Sequence, residues 1–187
     1  MRFNDHYRVK TLNLHAFLGA SKYHWINYDL EKMSKIFENQ FAAQRGTRLH
    51  EWAAEAIRLG RRQPRNNETI NAYINDAIGF RMEPEVVLFY SDNAFGTADA
   101  ICFKKMILRV HDLKTGVHPG SPHQIEIYFA LFCLEYKYNP YDIEMIGRIY
   151  QSDDVLEFHG DPKRIREIMD KIKEFDGHIE QMKEVME

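Results

Sequence analysis

Cysteine is scarce in this sequence. Two occur, Cys102 and Cys133, both in apolar runs and neither beside a second ligand at metal-binding spacing. Disulfide scaffolds, zinc fingers and four-cysteine iron–sulfur centres are thereby excluded, and a reducing compartment is expected. Long hydrophobic runs are missing too. The most apolar stretch, residues 127–134, falls well short of the roughly 20 residues of a membrane-crossing helix. No signal-peptide core opens the chain, so a soluble, cytoplasmic protein without membrane contact is expected. A cationic excess is also absent: 25 Lys and Arg stand against 28 Asp and Glu, a net charge of −3. Any binding of nucleic acid must then come from local patches and metal ions. One patch is Arg45, Arg48, Arg58, Arg61, Arg62 and Arg65, which taken alone reads as a solvated helix face. No repeat, low-complexity tract or Pro/Gly/Ser-rich linker appears. With 187 residues, one domain spanning 1–187 is expected, with a helical segment at 1–45, a core at 46–150 and a C-terminal helix within 151–187.

Hydrophobic periodicity orders the chain. Residues 21–44 read as helical but broken, and Gly46-Thr47 opens a helix through about residue 59. A second helix is expected over 67–80. The period then shortens to two, giving strands over 85–90, 95–103 and 106–114, with the second and third joined by a Lys104-Lys105 turn. Helical spacing returns over 122–138, a fourth strand follows over 141–150, and a charged amphipathic helix covers 162–186. Three strands in succession suggest an antiparallel meander. The helix after them can carry the fourth strand back parallel to one of the three. The fold class is therefore α/β, a central mixed sheet flanked by helices.

The chemistry gathers on the strands. On a strand over 106–114, Met106, Leu108, Val110, Asp112 and Lys114 share a face, so Asp112 and Lys114 project together just before Thr115-Gly116 ends the run. A carboxylate there can hold a divalent metal, and the neighbouring ammonium can position a water and stabilise developing negative charge. The pattern is cheap, since Glu135-Tyr-Lys137 and Asp161-Pro-Lys163 match it as well, and a lone match reads as a surface ion pair. Asp99 adds weight. It interrupts the mostly apolar set Phe95, Thr97, Ile101 and Phe103, where a carboxylate is costly unless paired or metal-bound. If the second and third strands pair, Asp99 and Asp112 approach, and a divalent cation relieves their repulsion. His50 falls on the inward stripe of its helix with Ala53, Ala54 and Ile57. It reads as a hydrogen-bonded core histidine or as a third ligand, the latter shifting preference from Mg2+ toward Mn2+. Glu85, at a strand start, can approach the same site. Gln124 and Tyr128, four apart in the first turns of their helix, form a polar edge able to hold phosphate or sugar oxygens.

Gly46-Thr47-x-x-His50, Gly96-Thr97-Ala98-Asp99, Asp112-Leu113-Lys114 and Gln124-x-x-x-Tyr128 occur in the order found in RecB-like PD-(D/E)XK nucleases. Over about residues 46–128 the chain resembles the small stand-alone, often phage-encoded members of that superfamily. The resemblance implies a restriction-endonuclease-like core and hydrolysis of DNA, by an exonuclease of recombination and repair. It implies that His50, Asp99, Asp112 and the Leu113 carbonyl bind Mg2+ or Mn2+. It further implies that Lys114 orients or activates the attacking water, and that Gln124 and Tyr128 position the DNA strand or its end. Two departures stand out. The cysteines that hold an iron–sulfur cluster in many relatives are missing, and so is any helicase or clamp domain. Processivity would then need a homo-oligomer or a partner protein of recombination or replication. The competing expectations are a site- or structure-specific endonuclease with the same chemistry, and a non-catalytic nucleic-acid-binding module.

Overall fold

The computed structural model describes residues 4–12, 16–116 and 119–186. The chain divides into two compact units, Met1–Arg45 and Gly46–Glu187. The first holds α1 (Tyr7–Thr11), a 3-10 helix (Ala20–Asn27) and the opening turns of α2 (Leu30–Arg58). Trp25 Nε1 donates to the Gly19 carbonyl at 3.1 Å, and Phe17 meets Phe37 edge-on, ring centroids 5.3 Å apart.

Helix α2 corrects the expected break at residues 44–46. It begins after Asp29, whose carboxylate accepts the Lys32 N–H at 2.7 Å, an N-terminal cap. It then runs unbroken through Gly46-Thr47. Residues 31–45 are mostly Glu, Lys, Met, Ala and Gln, good helix formers. One interior glycine costs about 1 kcal/mol, too little to stop them. Gly46 answers a tertiary need instead, because a Cβ there would sit 2.7 Å from Thr115 Oγ1.

The second unit is built on a five-stranded sheet in the order β1-β2-β3-β4-β5. Strands β1 (Glu83–Ser91), β2 (Ala94–Lys104) and β3 (Ile107–Leu113) form the antiparallel meander. Helix α4 (Pro122–Glu135) leads to β4 (Glu144–Gln151), which runs parallel to β3. Ser121 caps α4 by accepting the His123 N–H, with Pro122 in the first turn. The helix ends three residues before the expected 138.

Strand β5 (Asp154–His159), antiparallel to β4, is absent from the sequence expectation. Val155 and Leu156 stand side by side rather than alternating. The turn before them, Ser152-Asp153, holds both φ angles positive (50° and 64°) without the Gly or Asn that usually marks such a hairpin. The β2–β3 turn is of the same kind. It lies on Lys105-Met106 (φ 51° and 61°), one residue later than expected, so Met106 belongs to the turn and not to the strand.

Helices cover both faces of the sheet. On one, α4 and α5 (Pro162–Met186) pack through Ile125, Phe129, Ile165 and Met169 onto Leu88, Leu108, Val110 and Met145. On the other, the end of α2 and α3 (Thr69–Phe80) pack through Ala53, Ile57, Tyr73 and Ile74 onto Ala100, Leu113 and Tyr150. The apolar stripe of α5 is buried at Ile165 and Met169, but Phe175 and Met182 are about half exposed. No described helix is long and apolar enough to cross a membrane.

On the α3 face, His111 of β3 is fully buried. Tyr150 donates its hydroxyl proton to Asp76 Oδ2 at 2.8 Å, so His111 Nδ1, 3.2 Å from that hydroxyl oxygen, must carry the donating hydrogen. Nε2 is then a bare acceptor with no hydrogen-bond partner among the described residues. Burial, with Arg148 and Arg109 nearby, pushes the imidazole pKa down to about 3. The unfolded chain takes up this proton near pH 6.5 and the folded chain resists it. Stability therefore falls as pH drops from about 6.5 toward 3, by about 2–3 kcal/mol at roughly pH 4.5. Urea unfolding at neutral and acid pH should show this loss, and His111→Gln should remove it. Identical pH slopes in the two proteins would refute it.

Candidate metal centre

The centre begins with an irregularity. Val86 and Leu88 of β1 pack on the α4 face, whereas Met82, an even number of residues earlier, packs on the α3 face. Strict alternation is broken between them, at Glu85, whose φ is 55°. Its partner strand breaks with it. Ala98 lies with the α4 cluster, yet Ala100 lies with the α3 cluster and Ile101 returns to the first. The period of two expected along residues 95–103 is therefore broken between Ala98 and Ala100. Glu85 and Asp99 stand opposite each other at this reversal, between the pairs Pro84–Ala100 and Val86–Ala98.

Asp99 also ends the β2–β3 ladder. Backbone pairing stops at Ala100–His111, and beyond it the Asp99 carboxylate takes the Leu113 N–H, 2.8 Å from Oδ2. Its other oxygen, Oδ1, faces His50 Nδ1 at 3.4 Å. One ligand atom each from His50, Glu85 and Asp99 lies within 4.8 Å of the others. Around an ion with bonds of about 2.1 Å, the farthest octahedral ligands are about 4.2 Å apart. A shift of a few tenths of an ångström would bring the three donors onto one ion. The mix of two carboxylates and one imidazole suits Mg2+ or, better, Mn2+.

Asp112 sits beside this group, though not within it. Its side chain is 2% exposed. Burial, and then the Asp99 charge, raise its pKa despite the opposing pull of Lys114. Lys114 Nζ donates to Oδ1 at 3.2 Å. It lies 2.9 Å from Oδ2, but without the angle of a hydrogen bond, so this buried oxygen has no donor among the described residues. A buried acceptor without a partner is expensive, and a cation shared with Asp99 would satisfy it. Asp99, Glu85 and Asp112 all raise the His50 pKa, the Asp99 contact most of all. Burial, and next Asp99, raise that of Glu85. Asp99 is the neighbour common to all three shifts.

A hydrogen-bonded chain braces Lys114. Nζ donates to Gln124 Oε1 at 2.6 Å, Gln124 Nε2 donates to the Tyr128 hydroxyl at 3.0 Å, and Tyr128 donates to the Thr97 carbonyl at 2.6 Å. Gln124 and Tyr128 thus tie the lysine to β2. Tyr128 is 8% exposed with its proton committed to backbone. Gly120 completes the brace, since a Cβ there would lie 3.1 Å from Lys114 Cγ and 2.8 Å from Ile149 Cγ2.

The structure thus brings His50, Asp99, Asp112, Leu113, Lys114, Gln124 and Tyr128 into one region, Leu113 through its amide to Asp99. Glu85 joins the group as well, a place its sequence position leaves open. Its signal was an acid at a strand start across from Asp99, and its left-handed backbone was not visible there. The arginines at 45, 48, 58, 61, 62 and 65 are all exposed. No protein-family model, curated protein or solved structure matches the chain.

In the absence of divalent metal, the ionised Asp112 costs stability at neutral pH, because its pKa is raised in the folded state. Asp112→Asn should therefore leave Tm unchanged or raise it. Mn2+ should raise the Tm of the wild type and much less that of the variant. The Mn2+ effect should grow as pH rises past the elevated His50 pKa, since a ligating imidazole must lose its proton. A Tm insensitive to Mn2+ at every pH would exclude the centre. Glu85→Gly should relieve a left-handed conformation that costs about 1–3 kcal/mol. The metal-free protein should then be no less stable while calorimetry shows weaker Mn2+ binding. Unaltered Mn2+ affinity would remove Glu85 from the ligand set.

Proposed function

We propose that the chain is a metal-dependent deoxyribonuclease of the PD-(D/E)XK type, acting as an exonuclease on DNA with Mg2+ or Mn2+. One observation carries the reading. The His50, Glu85 and Asp99 donors lie within 4.8 Å of one another, beside a buried Asp112 oxygen without a donor and an ammonium 2.9 Å from it.

In this reading His50, Glu85, Asp99 and Asp112 hold the cation, with the Leu113 carbonyl as a further ligand by resemblance. When bound, it would supply positive charge to a non-bridging phosphate oxygen and make a neighbouring water more acidic. The remaining work belongs to the chain. An ammonium has three donors. Lys114 uses one on Asp112 and one on Gln124, which leaves the third to hold the water in line with phosphorus. The rigid Gln124–Tyr128–Thr97 chain fixes that direction, so orientation is set before substrate arrives. Positive charge from Lys114 also opposes the negative charge growing on the phosphate oxygens. Gln124 and Tyr128 act as positioning residues through Lys114.

A nuclease assay tests this, with 5′- and 3′-labelled single- and double-stranded DNA in Mn2+, Mg2+ or EDTA. EDTA should abolish cleavage. Asp112→Ala and Lys114→Ala should each lower the rate by at least about a hundredfold, the scale of losing one preorganised charge-stabilising group. Wild-type rates in either variant would exclude the mechanism. Closed circular DNA cut as fast as linear DNA would favour the endonuclease reading of the same site.

A further inference from the structure

A polar cavity of about 390 Å³ opens between α3 and the loop that joins it to α2, lined among others by Arg62, Arg65, Asn66, Asn75 and Asp76. We propose that it binds a phosphate group carried by a nucleotide. The proposal does not rest on the metal centre, because none of the residues that would hold the phosphate belongs to it.

The donors and acceptors of the lining carry the inference. The loop is pinned from both ends. Asn75 accepts the Gln63 N–H at 2.9 Å and donates back to the Gln63 carbonyl at 3.0 Å. Asn66 Oδ1 accepts from the Glu68 N–H at 3.2 Å and from Asn71 Nδ2 at 2.8 Å. Two arginines are thereby presented from an ordered backbone, which lowers the entropy lost on binding. Neither Arg62 nor Arg65 has an ion-pair partner among the described residues. Asn66 has its oxygen engaged, while its amide N–H groups meet no acceptor among the described residues.

Asp76 is the one anion of the lining, and its Oδ2 is already engaged. Arg148 Nη1 lies 2.9 Å from its Oδ2 and the Tyr150 hydroxyl donates to the same oxygen at 2.8 Å. The cavity therefore offers two planar guanidiniums and an amide donor against one carboxylate, whose Oδ2 is held from behind by Tyr150 and by Arg148, itself shared with Glu157. Guanidinium forks match phosphate oxygens bidentately. The volume lies in the range of small-molecule sites, roughly 300–1,000 Å³, enough for one nucleotide. The phosphate could belong to a free nucleotide or to one residue of a strand, and the chemistry of recognition is the same.

Isothermal titration calorimetry tests the site on the full chain with EDTA present, so that no divalent ion contributes. The probes are inorganic pyrophosphate, adenosine monophosphate and a single-stranded dodecanucleotide. The variants are Arg62→Ala/Arg65→Ala and, as an equal charge change elsewhere, Lys163→Ala/Lys173→Ala on exposed positions of α5. Pyrophosphate should bind the wild type saturably. It should bind the arginine variant about tenfold or more weakly, as loss of charge-assisted hydrogen bonds requires, and the lysine variant as the wild type. Equal weakening in both variants, or no binding to the wild type, would overturn the proposal. If the monophosphate matches the dodecanucleotide, the source is a free nucleotide. If the dodecanucleotide binds more tightly and loses that advantage in the arginine variant, it is a strand. All four residues are exposed, and unchanged thermal melting of both variants secures the comparison.

Discussion

The hydrogen bond from the Leu113 amide to the Asp99 carboxylate is the constraint on which the centre depends. It replaces a backbone acceptor by a side-chain one at the point where the β2–β3 ladder ends. A regular ladder would carry the strands on and bury Asp99 against them. The substitution holds Oδ2 at the sheet and turns Oδ1 toward His50. The left-handed Glu85, opposite on β1, makes the same departure on the other side. Two strands reverse their faces together, so each stays in register while a carboxylate leaves the ladder. Strain of this kind persists where surrounding packing over-determines it, and here the sheet is packed on both faces.

Destabilising features converge on the same few residues. Asp112 is buried with a raised pKa and an unsatisfied oxygen. Asp99 crowds it and is itself crowded by Glu85, and a half-buried histidine completes the set. None of this helps the metal-free fold. The compensating order lies in neutral groups: the Gln124 amide and Tyr128 hydroxyl fix the lysine to a backbone carbonyl, and glycines at 46 and 120 leave room for Thr115 and Lys114. Core packing behind the site is dense and apolar, with Ile125 and Phe129 of α4 fully buried. A rigid scaffold thus carries a locally unfavourable charge arrangement, as a site that gains from binding a cation would require.

The opposite face of the sheet handles charge differently. Arg148 lies between Asp76 and Glu157, and its guanidinium also lies over the Phe80 ring, 5.2 Å from the centroid. The Asp76–Tyr150–His111 chain runs from an open cavity into the interior one residue before Asp112. There Asp76 is paired with Arg148, and the buried imidazole is kept neutral. The two faces therefore respond oppositely to acid: His111 loses stability as pH falls, whereas protonation relieves the crowded carboxylates.

Much of this was legible in the sequence, because period-two and period-3.6 patterns report which face is buried whatever the neighbours are. The α/β class, the meander and the parallel return through α4 follow from such local rules, whereas the approach of Asp99 to Asp112 was conditional on strand pairing and the placing of Gln124 and Tyr128 beside them came from the family resemblance. What the rules missed has a common cause. Strand β5 is an exposed edge with adjacent rather than alternating apolar residues, and the turns at Lys105-Met106 and Ser152-Asp153 use residues without the usual Gly or Asn. Their left-handed backbone is imposed by strand pairing and not by local preference. Gly46 looked like a helix start because glycine is a poor helix former, yet the contact with Thr115 that explains it joins segments far apart in the chain. The chain alone determined which residues carry charge and which faces are apolar. Tertiary structure decided that Glu85 joins His50 and Asp99, that Asp112 stands just outside that group, and that Tyr128 acts through Lys114. Distances between side chains on different elements are set by how strands end and where faces reverse, and no local period encodes either.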